Sequence, residues 1–220
     1  MKKKRIALFI AIICFIQLFH TTSRASSRIY QSATEYDYPP FSVTDGGVPD
    51  GFSVELLQEV AKVMGLNINF KIDHWEVIKG ELERGELDVL PLVGKTEERA
   101  QYFDFTTPYI VMHGNIFVRK DTKDIQSEAD LFGKEIIVMS GDNAYEYAER
   151  VEFSNKIITT KTYREAFELL SSGKHDAVLA QSVVGMKLIK DLNIRNVEAV
   201  TQWLHPRKLE INVILINKIK

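Results

Sequence analysis

The chain has 220 residues, of which 45% are hydrophobic and 26% are charged, and its formal net charge is -2. This composition excludes a disordered or fibrous chain and is typical of one large globular domain or two small ones. The small net charge gives no electrostatic basis for binding nucleic acid, so we exclude that class of partner.

The chain begins with a pattern that is typical of a secretory signal peptide over residues 1–25. The basic start MKKKR is followed by the apolar run IALFIAIICFIQLF, and Ser23 and Ala25 are small residues at the -3 and -1 positions of a cleavage site. A membrane-spanning helix needs roughly 20 apolar residues, so cleavage near Ala25 is favoured over an uncleaved anchor. Cys14 is the only cysteine, and we therefore expect neither disulfides nor a thiolate metal site in the exported chain.

Helix-like and strand-like segments alternate after the leader. Amphipathic patterns predict helices over 51–65 and 183–192, and apolar or alternating runs predict strands over 67–72, 135–139 and 210–216. This alternation predicts an α/β fold with mostly parallel sheets. In such sheets, ligands bind beyond the carboxyl ends of the strands.

One spacing pattern occurs twice, once in each half of the chain. The segments LERGELD and LSSGKHD both read Leu-x-x-Gly-x-x-Asp, and their glycines are Gly85 and Gly173. In each copy a helix ends at the glycine, which tolerates the left-handed conformation, and a short apolar strand follows. The repeat fits two α/β units or one doubly wound sheet, and the spacing alone leaves both open.

Arg99 follows the first of these apolar strands, at the end where a ligand would bind. Its planar guanidinium group suits a carboxylate there, and we expect an arginine in an open cleft to be largely solvated. The alternative is a surface arginine that pairs with Glu97, Glu98 or Asp104. The residue pattern alone slightly favours that alternative.

Several long segments resemble one known family. They are YDYPPFSVTDGGVPDGFSVELLQEVAKVMGLNINF, GELDVLPLVGKTEERAQYFDFTTPYIVMHGNIFVRKD, DLFGKEIIVMSGDNAYEYAE and YREAFELLSSGKHDAVLAQSVVGMKLI. In this order they resemble bacterial extracellular solute-binding protein family 3, the periplasmic proteins that deliver amino acids to ABC transporters. The resemblance extends from Ile29 to about Ile216.

The resemblance implies a two-lobed periplasmic-binding-protein fold of type II, with a two-strand hinge and closure on a ligand. Lobe one is then expected over 26–115 plus 206–220, and lobe two over 116–205. It also implies a monomer that binds a small polar solute and needs no cofactor. Family members continue with further helices, so the C-terminal part of lobe one is expected to be missing from this chain.

The resemblance also assigns ligand-binding positions. Arg99 matches the arginine that holds the ligand's α-carboxylate, Tyr38 matches the aromatic residue that covers the ligand, and Trp75 lies near the pocket wall of lobe one. The turn of lobe two, whose backbone amides would suit an anion at a helix N-terminus, is matched by Gly141, Asp142 and Asn143.

Two positions depart from the family pattern. Gly94 stands where amino-acid binders usually have a Ser or Thr hydroxyl, and Gln181 stands where they usually have an acid that pairs with the α-ammonium group. Loss of a charged hydrogen-bond partner costs about 1.5–3 kcal/mol. Amino-acid binding is therefore less well supported than binding of a carboxylate.

These departures resemble a subgroup that serves as the extracellular sensor of membrane histidine kinases and diguanylate cyclases. The expected partner is accordingly an ABC permease or a signalling protein at the inner membrane.

A third function is a periplasmic dehydratase, which would need a general acid or base in the cleft. We rank it last and expect no catalytic residue, because the assigned positions supply few acids besides Asp142. The five histidines are scattered without metal-ligand spacing, so we expect no metal site.

Overall fold

The computed structural model describes residues 28–153, 156–202 and 209–217. The predicted signal peptide lies outside these residues. Among the described residues, no helix is long and apolar enough to cross a membrane.

Strands and helices alternate along most of the described chain. The strands are β1 (Ile29–Glu35), β2 (Val43–Asp45), β3 (Val48–Asp50), β4 (Asn67–Asp73), β5 (Val89–Gly94), β6 (Phe103–Phe105), β7 (Ile110–Met112), β8 (Gly114–Arg119), β9 (Ile136–Met139), β10 (Ile157–Thr160), β11 (Ala177–Gln181), β12 (Val197–Gln202) and β13 (Leu209–Asn217). The α-helices are α1 (Phe52–Met64), α2 (Trp75–Glu83), α3 (Asn143–Val151), α4 (Tyr163–Ser171) and α5 (Ser182–Asp191), and 3-10 turns occur at Arg99–Gln101 and Glu128–Leu131.

Two separate sheets organise these elements. The first has the order β4-β1-β5-β13-β6, with β7 also paired to β13, and the second has the order β10-β9-β11-β8-β12. We call the first sheet with α1 and α2 lobe one, and the second sheet with α3, α4 and α5 lobe two. The choice that the repeat left open is therefore decided in favour of two α/β units, with one copy in each.

The sheets are mixed, which corrects the prediction of mostly parallel sheets. β1 is parallel to β4 and β5, and β9 is parallel to β10 and β11. Within the two sheets, the antiparallel pairs are those of β13 with β5, β6 and β7 and those of β8 with β11 and β12. The chain passes between the sheets from β7 to β8 and from β12 to β13, so the pairs β7–β13 and β8–β12 lie where the two-strand hinge was predicted. The predicted residue boundaries of the lobes stay a prediction.

Each copy of the repeat brings a buried strand to the cleft. Gly85 and Gly173 have φ angles of 72° and 87°, in the left-handed region that favours glycine. The strands that follow them, β5 and β11, are buried along their whole length. Because the strands are buried on both sides, their carboxyl ends are held in fixed positions.

Helix α5 packs closely on the core of lobe two through Gly185. The rings of Phe117 and Phe167 meet edge to face, with centroids 5.0 Å apart. A Cβ atom on Gly185 would lie 2.3 Å from Cζ of Phe117 and 2.9 Å from Cζ of Phe167. The absence of a side chain at this position therefore sets how closely α5 approaches the sheet.

Candidate ligand-binding cleft

The structure brings most of the predicted site residues together where the two lobes meet. A cavity of about 20 Å³ is lined by Glu35, Tyr38, Trp75, Leu92, Gly94, Arg99, Met112, Asp142 and Asn143. Space of this size holds about one water molecule. Gly141 lies directly behind the wall, because its carbonyl oxygen bonds to Trp75 and Arg99.

Arg99 occupies the carboxyl end of β5, as the sequence predicts. The hydroxyl of Thr96 accepts a hydrogen bond from the Arg99 backbone at 3.1 Å, which fixes the start of the 3-10 turn. The guanidinium group donates to Oε1 of Glu146 from Nε at 3.0 Å and from Nη2 at 2.8 Å, and Nη1 donates to the Gly94 carbonyl at 3.2 Å. Arg99 is only 3% exposed. The alternative of a surface arginine is therefore wrong. The expectation of a largely solvated Arg99 applies to an open cleft, whereas here both lobes contact the guanidinium group.

Glu146 is a site residue that the sequence reasoning missed. It lies in the first turn and a half of α3 and faces two cations of lobe one. Its Oε1 atom accepts hydrogen bonds from Arg99 and, at 3.0 Å, from Nζ of Lys79. A single carboxylate of lobe two thus pairs with two cations of lobe one.

Trp75 lies on the wall of the cavity, beside Arg99 and against lobe two. Its indole Nε1 donates to the carbonyl of Gly141 at 2.7 Å, and Cζ of Arg99 lies 5.2 Å from its ring centroid. This distance is within the range of a cation–π contact. The first residue of α2 therefore contacts both the candidate arginine and the opposite lobe.

The turn of lobe two carries the residues that were predicted to form an anion site. The backbone N–H of Asp142 donates to the carbonyl of Met139, and that of Asn143 donates to the carboxylate of Asp142 itself. These two amides are engaged within the protein, and the carbonyl oxygen of Gly141 accepts hydrogen bonds from lobe one. The amide-lined anion site at this turn stays a prediction.

Glu35 is the second residue that the sequence reasoning missed. It ends β1, lines the cavity and is 7% exposed, and no described residue donates a hydrogen bond to its carboxylate. Burial, followed by the negative charge of Asp142, raises the pKa of Glu35 well above its ordinary value, while Arg99 acts in the opposite direction. Glu35 is therefore an acid beside Asp142 on the wall of the cavity, at a position that the resemblance did not assign.

Asp142 is a buried carboxyl group with several donors. The hydroxyl of Tyr163 donates to its Oδ2, and the backbone of Asn143 donates to its Oδ1. Burial raises the pKa of Asp142, although these hydrogen bonds and the charge of Arg99 lower it. The ring of Tyr38 lies 5.9 Å from that of Tyr163. Glu35, Tyr38 and Asp142 line the cavity, and we call this polar side the acidic wall.

Gln181 lies beside the cavity rather than on its wall. It ends β11 and is 1% exposed, and its Nε2 is 3.5 Å from Oδ1 of Asn143. Its Oε1 atom has no hydrogen-bond partner among the described residues. A buried amide oxygen with free capacity is suited to accept from a donor that enters the cleft.

Further contacts join the two lobes at the margins of the cleft. Arg164 pairs with Asp37 at 2.6 Å, and Oγ of Ser140 donates to Oε2 of Glu76 at 2.9 Å. Among the described residues, no group of three or more His, Cys, Asp or Glu side chains could hold a metal ion.

Comparison with known proteins identifies the family. The model for bacterial extracellular solute-binding proteins, family 3, matches residues 30–145. This chain belongs to that family. The predicted family is therefore confirmed, and the predicted α/β fold agrees with the solved structures that this chain resembles.

Two curated family 3 relatives show how far the similarity extends. A probable amino-acid-binding protein, YxeM of Bacillus subtilis, is 30% identical over 200 residues, which cover 86% of this chain and 74% of that protein. The L-cystine-binding protein TcyJ of Escherichia coli is 31% identical over 165 residues, which cover 72% of this chain and 61% of that protein. The chain thus spans about two thirds of the length of these relatives.

Two solved structures have closely similar folds. A histidine kinase sensor domain with similarity to periplasmic binding proteins has a TM-score of 0.82 and 27% identity, covering 88% of this chain and 84% of that one. An ancestral arginine-binding protein bound to arginine has a TM-score of 0.78 and 29% identity, covering 87% and 85%. Binding proteins and a sensor domain are both among the neighbours.

Proposed function

We propose that this protein captures a small amino-acid-like solute by closure of its two lobes. In this proposal the carboxylate of the solute binds Arg99, and a cationic group of the solute faces Glu35 and Asp142. The observation that carries it is the buried guanidinium group of Arg99, which lies in the cleft and donates its hydrogen bonds to a carboxylate. A solute carboxylate offers the same acceptor atoms.

The acidic wall supports a solute with a positive charge. Glu35 is buried, lines the cavity and has no hydrogen-bond donor among the described residues. A buried carboxyl group without a donor is stabilised by a cation in hydrogen-bond reach. The oxygen of Gln181 can accept one further hydrogen bond from an ammonium group.

We further propose that the protein acts in the periplasm and delivers its solute to an ABC permease. The relatives include a probable amino-acid-binding protein and L-cystine-binding proteins, which supports uptake and a non-catalytic role. Cleavage of the leader near Ala25 would release the chain into that compartment. Mass spectrometry of the exported protein should then find an N-terminus near Ser26. An exported chain that retains Met1 would contradict the cleavage.

The second candidate function is that of a ligand-sensing module in a membrane signalling protein. The similarity to a histidine kinase sensor domain favours it. Reconstitution separates the two functions: uptake requires that the loaded protein stimulates a permease, whereas sensing requires that the solute changes the activity of a kinase or cyclase.

A thermal-shift screen of the mature chain against amino acids, dicarboxylates and amines tests the primary proposal. A solute at a hundredfold excess over its dissociation constant stabilises the protein by about 2.7 kcal/mol. The best solute is then titrated by calorimetry into wild type, Arg99→Ala and the exposed control Arg195→Ala. Loss of affinity only in Arg99→Ala is expected. Unchanged affinity in Arg99→Ala would remove the carboxylate site from the proposal.

A further inference from the structure

The carboxylate that holds Arg99 comes from the protein itself. Two guanidinium nitrogens, Nε and Nη2, donate to one oxygen of Glu146, and this pair spans the two lobes. The other edge of the guanidinium group is partly engaged as well, because Nη1 donates to the Gly94 carbonyl and Nη2 donates to the Gly141 carbonyl. A solute carboxylate that binds bidentately to the Nε and Nη2 edge of Arg99 needs the nitrogens that Glu146 holds. Glu146 and a carboxylate-bearing solute therefore cannot both bind these atoms.

The pair is shielded from water. The side chain of Arg99 is 4% exposed and that of Glu146 is 14% exposed. Water screens such a pair much less than it screens a surface ion pair. When a solute carboxylate displaces Glu146 from Arg99, one shielded ion pair is lost and another is formed. The net gain in binding free energy from the new ion pair is therefore small.

Lys79 gives Glu146 a second partner. Its Nζ atom lies 3.0 Å from the same oxygen, Oε1, and its side chain is less buried than that of Arg99. If Glu146 leaves Arg99, its charge can stay with Lys79. The carboxylate can therefore move away from Arg99 without becoming a buried, unpaired charge.

We propose that Glu146 is an internal competitor for Arg99, which holds the lobes together and which a solute carboxylate must displace. This inference rests on the proposed role of Arg99. It makes Glu146 a specificity-determining residue: the site discriminates against the carboxylate of a solute, while a cationic solute that lacks a carboxylate leaves the Arg99–Glu146 pair in place.

The test uses two probes that differ only by a carboxylate, L-arginine and agmatine. Calorimetry measures the affinity of each for the mature wild type and for Glu146→Gln. The variant should bind L-arginine about tenfold more tightly, because a neutral amide is a weaker partner for a guanidinium group than a carboxylate is. The affinity for agmatine should not increase, because agmatine has no carboxylate that competes with Glu146.

The control variant is Glu149→Gln, on the same helix. It removes the same charge from α3, but Glu149 contacts the hydroxyl of Tyr145 rather than Arg99. Glu149→Gln should bind both probes as wild type does. If Glu146→Gln does not fold, Glu146→Asp replaces it. This variant keeps the charge and shortens the side chain by one methylene group, and a smaller gain for L-arginine is expected.

A second measurement needs no bound solute. Spin labels on Val63→Cys and Met186→Cys, two exposed positions on α1 and α5, report the distance between the lobes. Glu146→Gln should lengthen or broaden the distance distribution, whereas Glu149→Gln should not. If the distance distribution of Glu146→Gln equals that of wild type, the proposal is overturned. This result is decisive even if neither L-arginine nor agmatine binds.

The binding results separate this inference from the proposed function. If Arg99→Ala abolishes binding of L-arginine and Glu146→Gln changes nothing, the carboxylate site remains and the competitor is excluded. Equal weakening of both probes in Glu146→Gln would make Glu146 a scaffold residue and would also overturn the inference. If Arg99→Ala binds L-arginine as wild type does, both proposals fall.

Discussion

Trp75 of lobe one is hydrogen-bonded to Gly141 of lobe two, with 2.7 Å between the indole Nε1 and the carbonyl oxygen. The same carbonyl accepts from Nη2 of Arg99 at 3.2 Å. Gly141 has a φ angle of 68°, in the region where a side chain is strained. Because the acceptor is a backbone atom, the strength of this contact between the lobes is tested by changing the donors.

Replacement of Trp75 by Phe retains an aromatic ring and removes the N–H donor. A neutral hydrogen bond contributes about 0.5–1.5 kcal/mol. In a chain of this size, 1 kcal/mol shifts the melting temperature by about 2–4 °C. We expect a decrease of that order in thermal unfolding followed by circular dichroism. Tyr102→Phe, at an exposed position, is the control. Equal melting temperatures for Trp75→Phe and wild type would show that the contact adds no net stability.

Replacement of Arg99 by Ala should destabilise the protein as well as reduce solute binding. The guanidinium group is buried and paired, so its removal leaves Glu146 with Lys79 as its partner. Breaking a fully buried pair costs about 3–5 kcal/mol, and the remaining lysine should reduce the loss to about 1–3 kcal/mol. Urea unfolding measures this difference. Arg99→Lys should lose less stability, because the charge is kept. Wild-type stability in Arg99→Ala would contradict the buried pair.

Much of the fold could be predicted from periodicity and turn residues. The helix predicted over 51–65 is α1, Phe52–Met64, and the one predicted over 183–192 is α5, Ser182–Asp191. Glycine after an amphipathic run locates both helix ends of the repeat, because few other residues tolerate the left-handed conformation. The mixed sheets could not be predicted, since local patterns do not show which strands change sheet and pair antiparallel in the hinge.

The candidate site was predictable only in part. Glu35 ends β1 and Arg99 follows β5, and both strands are central in the sheet of lobe one. The rule that ligands bind at the carboxyl ends of strands could therefore have indicated Glu35 as well. Glu146 is different, because its contact with Arg99 depends on how the lobes face each other. No spacing within the chain encodes that relation, and only the structure brings the two residues together.

Gly185→Ala tests the close packing of α5. Its Cβ atom would lie 2.3 Å from Cζ of Phe117, whose ring is fully buried and cannot move aside freely. Overpacking of this kind costs about 1–3 kcal/mol or more. Urea unfolding should show this loss.

Gly80→Ala is the matched control for Gly185→Ala. Gly80 lies in α2, and a Cβ atom at this position would lie 3.1 Å from Nη1 at the flexible tip of Arg84. Alanine in a helix interior is favoured over glycine by about 0.5–1 kcal/mol, so this variant should be as stable as wild type or more so. A similar loss in both variants would mean that the effect is not due to packing on Phe117.

Glu35→Gln should make the protein more stable at neutral pH and weaken the binding of a cationic solute. Burial and the charge of Asp142 raise the pKa of Glu35 in the folded state, although Arg99 opposes them, and Asp37 adds to the increase. In the unfolded chain, a glutamate has a pKa of about 4.3. As the pH rises above that value, the unfolded state loses its proton first. Wild-type stability therefore falls until the pH exceeds the folded pKa.

Glu35→Gln lacks this titration. Its gain in stability over wild type should therefore be absent near pH 4 and should grow towards neutral pH. If the buried charge costs about 1 kcal/mol, the melting temperature of the variant is about 2–4 °C higher at neutral pH. Melting temperatures from pH 4 to 8 measure the difference, and Glu198→Gln, at an exposed position, is the control for removal of one carboxylate. A difference for Glu35→Gln that is constant across this range would show that Glu35 has the same pKa in both states. In that case the acidic wall would be as accessible to water as the unfolded chain, and its preference for a cationic solute would lose its physical basis.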